Sequence, residues 1–580
     1  MRLERNTKLI TRRLLHYLVP SILMIFAMQF ASLIDGILVG NMIGNDALTA
    51  TSLVMPILYI VQLPGFALGV GGSIVIANLL GKRDLIGAKR AFSISIIIGV
   101  GASIVFMILG FIVSRPLANL FNMTPQIREY AYQYIFIFMV TDPIISFALL
   151  IGNFMAVDNN PKLSGAFFIV ANVVKIGSEF LFIHLWGLYG AAISTPFGYG
   201  VALVCIIFYI KSKRRLLSFT FIVKNAHLWE VLKASSTTIL NLTLTAIQMF
   251  VANIIVGQVL TSEVDIFTFG LVMNMVFLFD IVSGGIINVI PNICGILYGE
   301  KDIYSLKAVT RKIYIINIVS TLIIASFVAI FPYVYCAMFG YTVNDGTGYI
   351  ATVLRVYLIS FFGYEISKAN MNYYPSIDKI SPSIVTVLLR EAIIVLPLTI
   401  ILLYQMGLMG YVIACAVTES ATLILTYVYV FIYSRIKKQY HGIFLLEKLD
   451  YVSYDISIDN QLNNASLVSE NLTNFALEHH IQEREAQIVG LASEEIVNNI
   501  VTYGYKHVSH RYIDINLKIM EGKMVLRIRD DGLPFDPTKY EYDDDKEYSL
   551  SGIRLIEKLT DKMSYMRLLN LNNTVFEINI

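Results

Sequence analysis

The chain has 580 residues, 56% of them hydrophobic, and a mean hydropathy of +0.66. Soluble globular proteins have about 45–50% apolar residues, so the composition excludes a chain built only of soluble domains. The formal net charge of +2 averages two unlike parts. Residues 445–580 contain 14 Lys and Arg against 23 Asp and Glu, a net charge of −9, which leaves +11 for residues 1–444. An acidic soluble part argues against nucleic acid as a partner.

Long apolar runs alternate with short polar connections as far as about residue 433. Crossing about 30 Å of hydrocarbon takes roughly 20 mostly apolar residues in a helix. Twelve runs meet this requirement. The predicted spans are residues 16–39, 51–76, 91–113, 132–155, 163–183, 188–210, 231–256, 266–290, 313–338, 350–373, 380–403 and 409–433.

Basic residues are concentrated in alternate connections between these runs. They cluster in residues 2–13, 82–90, 211–215 and 301–312, whereas the connections on the other side carry few, such as Arg115 and Arg128. Lys and Arg in short loops mark the cytoplasmic side of a membrane protein. The sequence therefore predicts a multi-pass protein of the cell membrane, with both termini and the acidic C-terminal part in the cytoplasm.

The two sets of six spans resemble each other. Ile-Leu-Val-Gly at residues 37–40 recurs as Ile-Ile-Val-Gly at 254–257, and Gly-Lys-Arg-Asp at 81–84 recurs as Gly-Glu-Lys-Asp at 299–302. An even number of spans per repeat gives both halves the same orientation. Such parallel repeats place a substrate site between the halves.

These segments, together with Asp35-Gly36, the glycine-rich stretch 65–72 and Gly-Leu-Tyr-Gly-Ala-Ala at 187–192, resemble the multidrug and toxic compound extrusion (MATE) family over about residues 15–435. The resemblance implies an all-α transporter domain, residues 1–444, with twelve transmembrane helices in two six-helix lobes at about 14–215 and 228–435. It implies an antiporter that exports drugs or other organic cations through the lipid bilayer in exchange for H⁺ or Na⁺. One departure is visible, since many members carry Asn and Asp where this chain has Lys175 and Glu179.

Ionisable residues inside a membrane are costly and are by default functional candidates. Asp35 lies late in the first span, and we expect it to bind the coupling cation, with an interhelical hydrogen bond as the alternative. Asp280 in the eighth span is a second coupling candidate, for which ion coupling and packing are equally supported.

Two pairs of oppositely charged residues lie within single spans, and their spacing favours mutual neutralisation over ion coupling. Lys175 and Glu179 are one helical turn apart, and so are Glu365 and Lys368. Residues at this spacing share a helix face, so each pair is expected to neutralise itself. Arg390, Glu391 and Glu419 either line the second lobe or face neighbouring helices.

From about residue 445 the pattern changes to that of a soluble α+β domain. Alternating apolar and polar residues predict strands, and longer amphipathic runs predict helices. The predicted elements are strands at 451–459, 512–520, 524–529, 562–568 and 574–580, and helices at 464–480, 482–505 and 550–560. Such an order is typical of a layered domain with helices on one side of a sheet.

Three short clusters in this domain contain residues that could bind a nucleotide or act in catalysis. Glu495 and Asn499 share a helix face, where an amide oxygen can ligate Mg²⁺ and a carboxylate can act as a base. Asp530 and Gly532 follow a strand, and the carboxylate can accept a hydrogen bond from a purine amino group. Gly552 opens a helix, whose first backbone N–H groups can bind phosphate.

The order and spacing of these clusters resemble the histidine-kinase-like (GHKL, Bergerat-fold) ATPases, in particular their anti-sigma-factor serine kinase branch, over about residues 450–580. The resemblance implies ATP and Mg²⁺ as cofactors of a domain at 445–580. It makes Glu495 the catalytic-type base, Asn499 the Mg²⁺ ligand, and Asp530, Gly532 and Gly552 nucleotide-binding positions. Leu550 replaces a family glycine, and the acidic stretch 541–547 stands where the nucleotide lid should be.

The sequence leaves three functions open. The first is secondary active export with the ATP-binding tail as a regulator. The second is a membrane-anchored serine kinase that phosphorylates a cytoplasmic protein and uses a transporter-like sensor. The third is a lipid or polysaccharide flippase of the same superfamily. The chain has no Gly-x-x-x-x-Gly-Lys-Ser/Thr phosphate loop, so ATP is not expected to drive transport directly.

Overall fold

The computed structural model describes residues 5–120, 124–222, 224, 226–260, 262–338, 347–448, 450–505, 508, 510–539 and 551–580. The chain divides into two compact units. The first, which we call the membrane unit, is His16–Leu445. The second, the α+β unit, combines Met1–Leu15 with Leu446–Ile580.

Helices account for nearly all of the membrane unit. They are α1 (Lys8–Met42), α2 (Asn45–Val61), α3 (Leu63–Gly81), α4 (Leu85–Asn119), α5 (Pro125–Val157), α6 (Pro161–Trp186), α7 (Leu188–Ala202), α8 (Cys205–Lys211), α9 (Leu228–Val259), α10 (Glu263–Ile287), α11 (Ile290–Gly299), α12 (Ile303–Ile330), α13 (Pro332–Met338), α14 (Thr347–Ser376), α15 (Ile380–Leu388), a π-helical segment (Leu389–Ile393) and α16 (Val395–Ile436). We call α1–α8 the N-lobe and α9–α16 the C-lobe.

Within the described residues, 11 helical stretches are long and apolar enough to cross a membrane. The last, Ile380–Ile436, contains 57 residues and includes both of the final predicted spans. Gly407 interrupts it with φ 60° and ψ −143°. A Cβ atom on Gly410 would lie 1.9 Å from the Leu402 carbonyl oxygen, so the chain folds sharply back on itself here. The 11 stretches therefore accommodate the twelve predicted spans.

The same reversal occurs in the N-lobe. Gly187, between α6 and α7, has φ 58° and ψ −133°, and a Cβ atom on Gly190 would lie 2.0 Å from the Phe182 carbonyl oxygen. A positive φ favours glycine because it has no Cβ to clash with the backbone. Matching reversals at equivalent places support the internal repeat seen in the sequence.

The repeated Gly-Lys-Arg-Asp and Gly-Glu-Lys-Asp segments also fold alike. Asp84 caps α4 by accepting a hydrogen bond from the Gly87 backbone N–H at 2.7 Å, and Asp302 caps α12 through the Ser305 N–H at 3.1 Å. Aspartate is a preferred residue at this position because it satisfies a free N–H of the first turn. The two segments thus serve as helix starts in both lobes.

In the α+β unit the eight predicted elements form within a few residues of their expected bounds. The two-residue strand β1 (Tyr440–His441) lies near the end of the membrane unit, and its partner β2 (Leu446–Glu447) begins the α+β unit. They are followed by β3 (Val452–Asp459), α17 (Asn463–Glu478), α18 (Glu483–Asn499), a π-helical segment (Ile500–Gly504), β4 (Tyr512–Met520), β5 (Lys523–Asp530), a 3₁₀ turn (Pro537–Lys539), α19 (Ser551–Leu559), β6 (Lys562–Tyr565) and β7 (Asn572–Asn579).

Five of the strands form one antiparallel sheet in the order β3-β4-β5-β7-β6. Alternate residues of these strands, such as Ile515, Leu526 and Phe576, are fully buried and pack against apolar residues of the helices, such as Val468 and Val489. The domain is therefore a two-layer α+β structure, as predicted. The register pairs Asp530 at the end of β5 with Asn572 at the start of β7.

Candidate ion-coupling and nucleotide sites

Asp35 on α1 is the centre of a buried polar group in the N-lobe. Its Oδ1 atom lies 3.3 Å from the Lys175 ammonium on α6, and its Oδ2 atom accepts a hydrogen bond from the Tyr134 hydroxyl on α5 at 3.4 Å. The carboxyl of Glu179, one turn after Lys175, interacts electrostatically with both Asp35 and Lys175. We call Asp35, Tyr134, Lys175 and Glu179 the N-lobe cluster.

The expected pairing of Lys175 with Glu179 is wrong, because Lys175 reaches to a different helix. Its partner is Asp35. Glu179 is fully buried, and among the described residues no donor hydrogen-bonds to either of its carboxyl oxygens. A spacing of one helical turn brings two side chains to the same face, but a carboxylate on the neighbouring helix can offer a better-placed partner.

The N-lobe cluster has more acid than base. Two carboxylates and one ammonium leave a net charge of −1 when all three are ionised. An uncompensated charge in a low-dielectric interior is strongly disfavoured, so the cluster favours the uptake of one further positive charge. This arrangement can bind and release a monovalent cation.

The C-lobe carries a second group of buried charges. Asp280 on α10 pairs with Lys368 on α14, so the direct ion-pair partner of Lys368 is not the expected Glu365. Glu365 is buried and interacts electrostatically with both Lys368 and Asp280. Arg390, in the π-helical segment, contacts Glu419 at 2.8 Å and Glu391 at 3.1 Å.

The residues that form what we call the C-lobe cluster are four carboxylates and two cations, namely Asp280, Glu365, Glu391, Glu419, Lys368 and Arg390. Arg390 also lies 4.2 Å from the centre of the Tyr364 ring.

In the α+β unit the structure brings Glu495, Asn499 and Gly552 together. The Asn499 amide nitrogen donates to the Glu495 carboxylate at 2.9 Å. A Cβ atom on Gly552 would lie 2.2 Å from the Glu495 carboxyl carbon, so a larger residue at this position of α19 would displace the Glu495 carboxylate. Because the Asn499 amide nitrogen donates to Glu495, the amide oxygen can bind a ligand. Mg²⁺ prefers oxygen ligands of this kind.

Asp530 and Gly532 lie at the end of β5. The Asp530 Oδ1 atom accepts hydrogen bonds from the Gly532 N–H at 2.7 Å and from the Asn572 amide at 2.9 Å. Burial raises the pKa of Asp530 to about 6, although both hydrogen bonds oppose the shift. Leu533 donates its backbone N–H to the Gly504 carbonyl at 2.9 Å, and this ties the turn to the segment that follows Asn499.

Asn572 is a site residue that the sequence analysis missed. Its nitrogen also donates to the Leu533 carbonyl at 2.8 Å, and its oxygen accepts from Arg567 at 2.6 Å and from the Tyr565 hydroxyl at 2.8 Å. All of its hydrogen-bonding groups are used, so the side chain holds Asp530 in a fixed orientation. Only the pairing of β5 with β7 could have revealed it.

Residues 5–15, which we call the N-terminal arm, belong to the α+β unit, a contact that the sequence analysis did not predict. The Asn6 N–H donates to the Ser457 hydroxyl at 3.1 Å, and the Lys8 ammonium donates to the Tyr512 hydroxyl at 2.7 Å. Arg13 lies 3.1 Å from the Asp531 carboxylate, which is 2% exposed. The arm therefore contacts the residue directly after Asp530.

Within the described residues, no group of three or more His, Cys, Asp or Glu side chains could hold a metal ion. Magnesium in nucleotide sites is bound by one or two protein oxygens together with phosphates, so a single Asn499 oxygen fits that role. Leu550 and the acidic stretch 541–547, which were singled out in the sequence, lie outside the described residues.

Comparison with known proteins agrees with both parts of the chain. The family model MatE matches residues 20–181, and the histidine kinase-like ATPase domain model matches residues 458–576. The multidrug export protein MepA of Staphylococcus haemolyticus (strain JCSC1435) is 22% identical over 223 residues, which are 37% of this chain and 48% of MepA. MepA of Staphylococcus saprophyticus is 21% identical over 207 residues, 35% of this chain and 46% of the relative. The match spans about half the length of both relatives.

Solved structures share the fold of the membrane unit. A MATE transporter in complex with MaL6 has a TM-score of 0.68 at 19% identity, covering 74% of this chain and 98% of that one. A MOP superfamily transporter from Pyrococcus furiosus has a TM-score of 0.67 at 19% identity, with 74% and 96% covered. At this level of identity the likeness shows the fold. The chain thus joins a MatE domain with the MATE fold to a C-terminal histidine kinase-like ATPase domain.

Proposed function

We propose that the protein is a secondary active antiporter of the cell membrane, with both termini cytoplasmic, that exports organic cations or other drug-like compounds in exchange for H⁺ or Na⁺. The observation that carries this proposal is the N-lobe cluster. It combines an excess carboxylate, deep burial and contacts between three helices, α1, α5 and α6. The printed names of the two relatives, both multidrug export proteins, support the same substrate class.

The coupling follows from the charge of the cluster. When all groups are ionised, the excess negative charge attracts a cation from the side on which the site is open. Binding of that cation neutralises the excess charge and changes the contacts that hold α1. Ligands shift a conformational equilibrium only by their different affinity for its two states, so a cation that binds one state better can drive the lobes to expel the substrate.

Asp280 stays the second coupling candidate. Its ion pair with Lys368 supports the packing alternative, although Asp35 has a similar ion pair with Lys175. We assign coupling first to Asp35 and Glu179, because the MATE resemblance includes the first-span segment that contains Asp35.

The cytoplasmic domain would bind Mg-ATP as a regulator. Asn499 would hold Mg²⁺, Asp530 would accept a hydrogen bond from the adenine amino group, and Gly532 and Gly552 would let the backbone approach the nucleotide. Glu495 would position water or act as a base. Bound Mg²⁺ would neutralise phosphate charge, while the residues of this domain orient the nucleotide.

The N-terminal arm supports a regulatory role. It contacts Asp531, the neighbour of Asp530, and it continues along the chain as α1, which carries Asp35. The helix α1 therefore includes a residue that contacts the neighbour of Asp530 and a residue of the proposed coupling site. A serine kinase remains the second candidate, because the Glu495–Asn499 pair needed for phosphoryl transfer is intact.

The experiment is export of ethidium, a fluorescent organic cation, from proteoliposomes with imposed H⁺ or Na⁺ gradients. Asp35→Asn should reduce gradient-driven export to the leak rate, because the amide cannot carry the charge that couples cation to substrate. Asp46→Asn is the matched control, since Asp46 is exposed at the start of α2. Export by Asp35→Asn at the rate of the unmodified protein would refute the assignment.

A further inference from the structure

Lys175 brings a tethered cation into the N-lobe cluster. Its side chain is 14% exposed and its ammonium lies 3.3 Å from Asp35, whose side chain is 8% exposed. The MATE resemblance leads one to expect a neutral asparagine at this place. The substitution therefore adds a full positive charge to a site where a cation would bind.

A sodium ion requires several oxygen ligands at once and no competing cation among them. The ammonium occupies one oxygen of Asp35, and the Tyr134 hydroxyl contacts the other. Na⁺ bound to Asp35 would lie close to the Lys175 ammonium, so it would have to displace Lys175 or overcome the repulsion between the two cations. Breaking a buried ion pair leaves an uncompensated charge, which is strongly unfavourable.

A proton has no such requirement. Glu179 is fully buried, and among the described residues its oxygens have no hydrogen-bond donor. A proton taken from water adds to one of its oxygens, turns the carboxylate into a carboxylic acid and removes the excess charge. On release the proton returns to water and the carboxylate is restored. The titratable groups that face this exchange are Asp35, Tyr134, Lys175 and Glu179.

We infer that Lys175 makes the N-lobe cluster selective for protons over sodium ions, so that the transporter is an H⁺ antiporter. The inference rests on the proposed coupling at Asp35. Lys175 is a specificity-determining residue, because its ammonium fills the place of a sodium ion and leaves one carboxylate to exchange a proton.

The first test measures sodium binding without transport. The full-length protein is unfolded by heat in NaCl and in choline chloride at equal ionic strength. We expect the same midpoint in both salts for the unmodified protein and for Lys175→Arg, which keeps the charge. Lys175→Asn should unfold higher in NaCl by about 2 °C or more, as a bound ligand stabilises the folded state. If Lys175→Asn does not fold, Lys175→Gln serves instead.

The second test measures coupling in proteoliposomes that contain ethidium. Export by the unmodified protein should respond to a pH gradient and not to a Na⁺ gradient, whereas a Na⁺ gradient should speed export by Lys175→Asn at least about fivefold. Sodium-driven export by the unmodified protein, or an equal sodium stabilisation of all variants, would overturn the inference. Absence of ethidium export under either gradient would count against the proposed exporter, and the unfolding test would still decide the role of Lys175.

Discussion

The two lobes share a repeat, yet their buried charges make different contacts. In the C-lobe cluster the Arg390 guanidinium contacts two carboxylates and Lys368 a third. In the N-lobe cluster the single ammonium contacts Asp35. Each cluster has more carboxylates than cations, and each holds one buried glutamate, Glu179 or Glu365, whose oxygens have no hydrogen-bond donor among the described residues. The charge balance therefore does not separate the lobes. We expect the N-lobe, which has fewer ion-pair contacts, to rearrange when a cation binds, and the C-lobe to keep its packing.

The largest effect should come from removing a cation from the C-lobe cluster. Arg390→Met removes the cation between Glu391 and Glu419, and loss of one partner of a buried pair costs about 3–5 kcal/mol. We expect a clearly lower unfolding midpoint of the full-length protein, with the H⁺ dependence of residual export unchanged. Adding Glu419→Gln should restore part of the stability. Unaltered stability of Arg390→Met would show that these charges do not form a closed network.

Glu179→Gln should keep the stability of the protein and reduce its export, the reverse of what we expect for Arg390→Met. It removes the excess carboxylate, so we expect stability equal to or above that of the unmodified protein, while gradient-driven ethidium export falls by up to about 100-fold, or ~3 kcal/mol of coupling. The control is Glu129→Gln, because Glu129 is a half-exposed residue on α5. If Glu179→Gln exports ethidium at the normal rate, the N-lobe cluster does not couple export to a cation. The proposed difference between the two lobes is then wrong.

In the α+β unit, Asn572 orients Asp530 through a hydrogen bond. Asn572→Leu removes one of the two donors to the buried Asp530 Oδ1 atom, at about 1–3 kcal/mol, and also the donor to the Leu533 carbonyl. We expect the Kd for Mg-ATP to rise about tenfold or more, measured by calorimetry on the full-length protein. Asn579→Leu, at the exposed end of the same strand, should bind ATP normally. Equal affinities of the two variants would exclude a positioning role for Asn572.

The smallest expected effect is a pH dependence of nucleotide binding. Burial raises the pKa of Asp530 to about 6 from its usual 3.8, so the folded domain holds this proton more tightly than the unfolded chain does. The protonated form predominates below that pKa, and its hydroxyl oxygen is a poor acceptor for the adenine amino group. Affinity for Mg-ATP, measured by calorimetry across this range, should therefore fall as the pH drops through about 6.

The raised pKa of Asp530 also determines how the stability of the domain changes with pH. A raised carboxyl pKa means that Asp530 favours folding at low pH, and this contribution is lost as the pH rises from the unfolded to the folded pKa. Asp530→Asn should therefore stabilise the domain at pH 7 while it abolishes ATP binding. A variant that is both less stable and still able to bind ATP would contradict the role assigned to Asp530.

The sequence predicted the elements well because their signals are local. Apolar runs of membrane length and the alternation in β4 and β5 depend only on neighbouring residues. The reversal at Gly407 was predicted as a connection between two spans, and the helical stretch indeed folds back there. Asp35 was singled out from its position in an apolar span and from the MATE resemblance, and its coupling role stays a prediction.

Partners across helices and strands could not be predicted in the same way. The one-turn spacing of Lys175 and Glu179 suggested a pair, yet a carboxylate 140 residues earlier in the chain takes the ammonium. Asn572 became a candidate only with the register of β5 and β7, and the contact of Arg13 with Asp531 joins opposite ends of the chain. Each depends on tertiary packing, which no local pattern contains.

The most direct test of coupling in the N-lobe records proton flux and ethidium export together in proteoliposomes that contain a trapped pH dye. The unmodified protein should move protons inward as ethidium leaves, Asp280→Asn should keep this exchange, and Asp35→Asn should lose both fluxes. If Asp280→Asn abolishes the exchange while Asp35→Asn retains it, coupling resides in the C-lobe and the N-lobe cluster is not the coupling site.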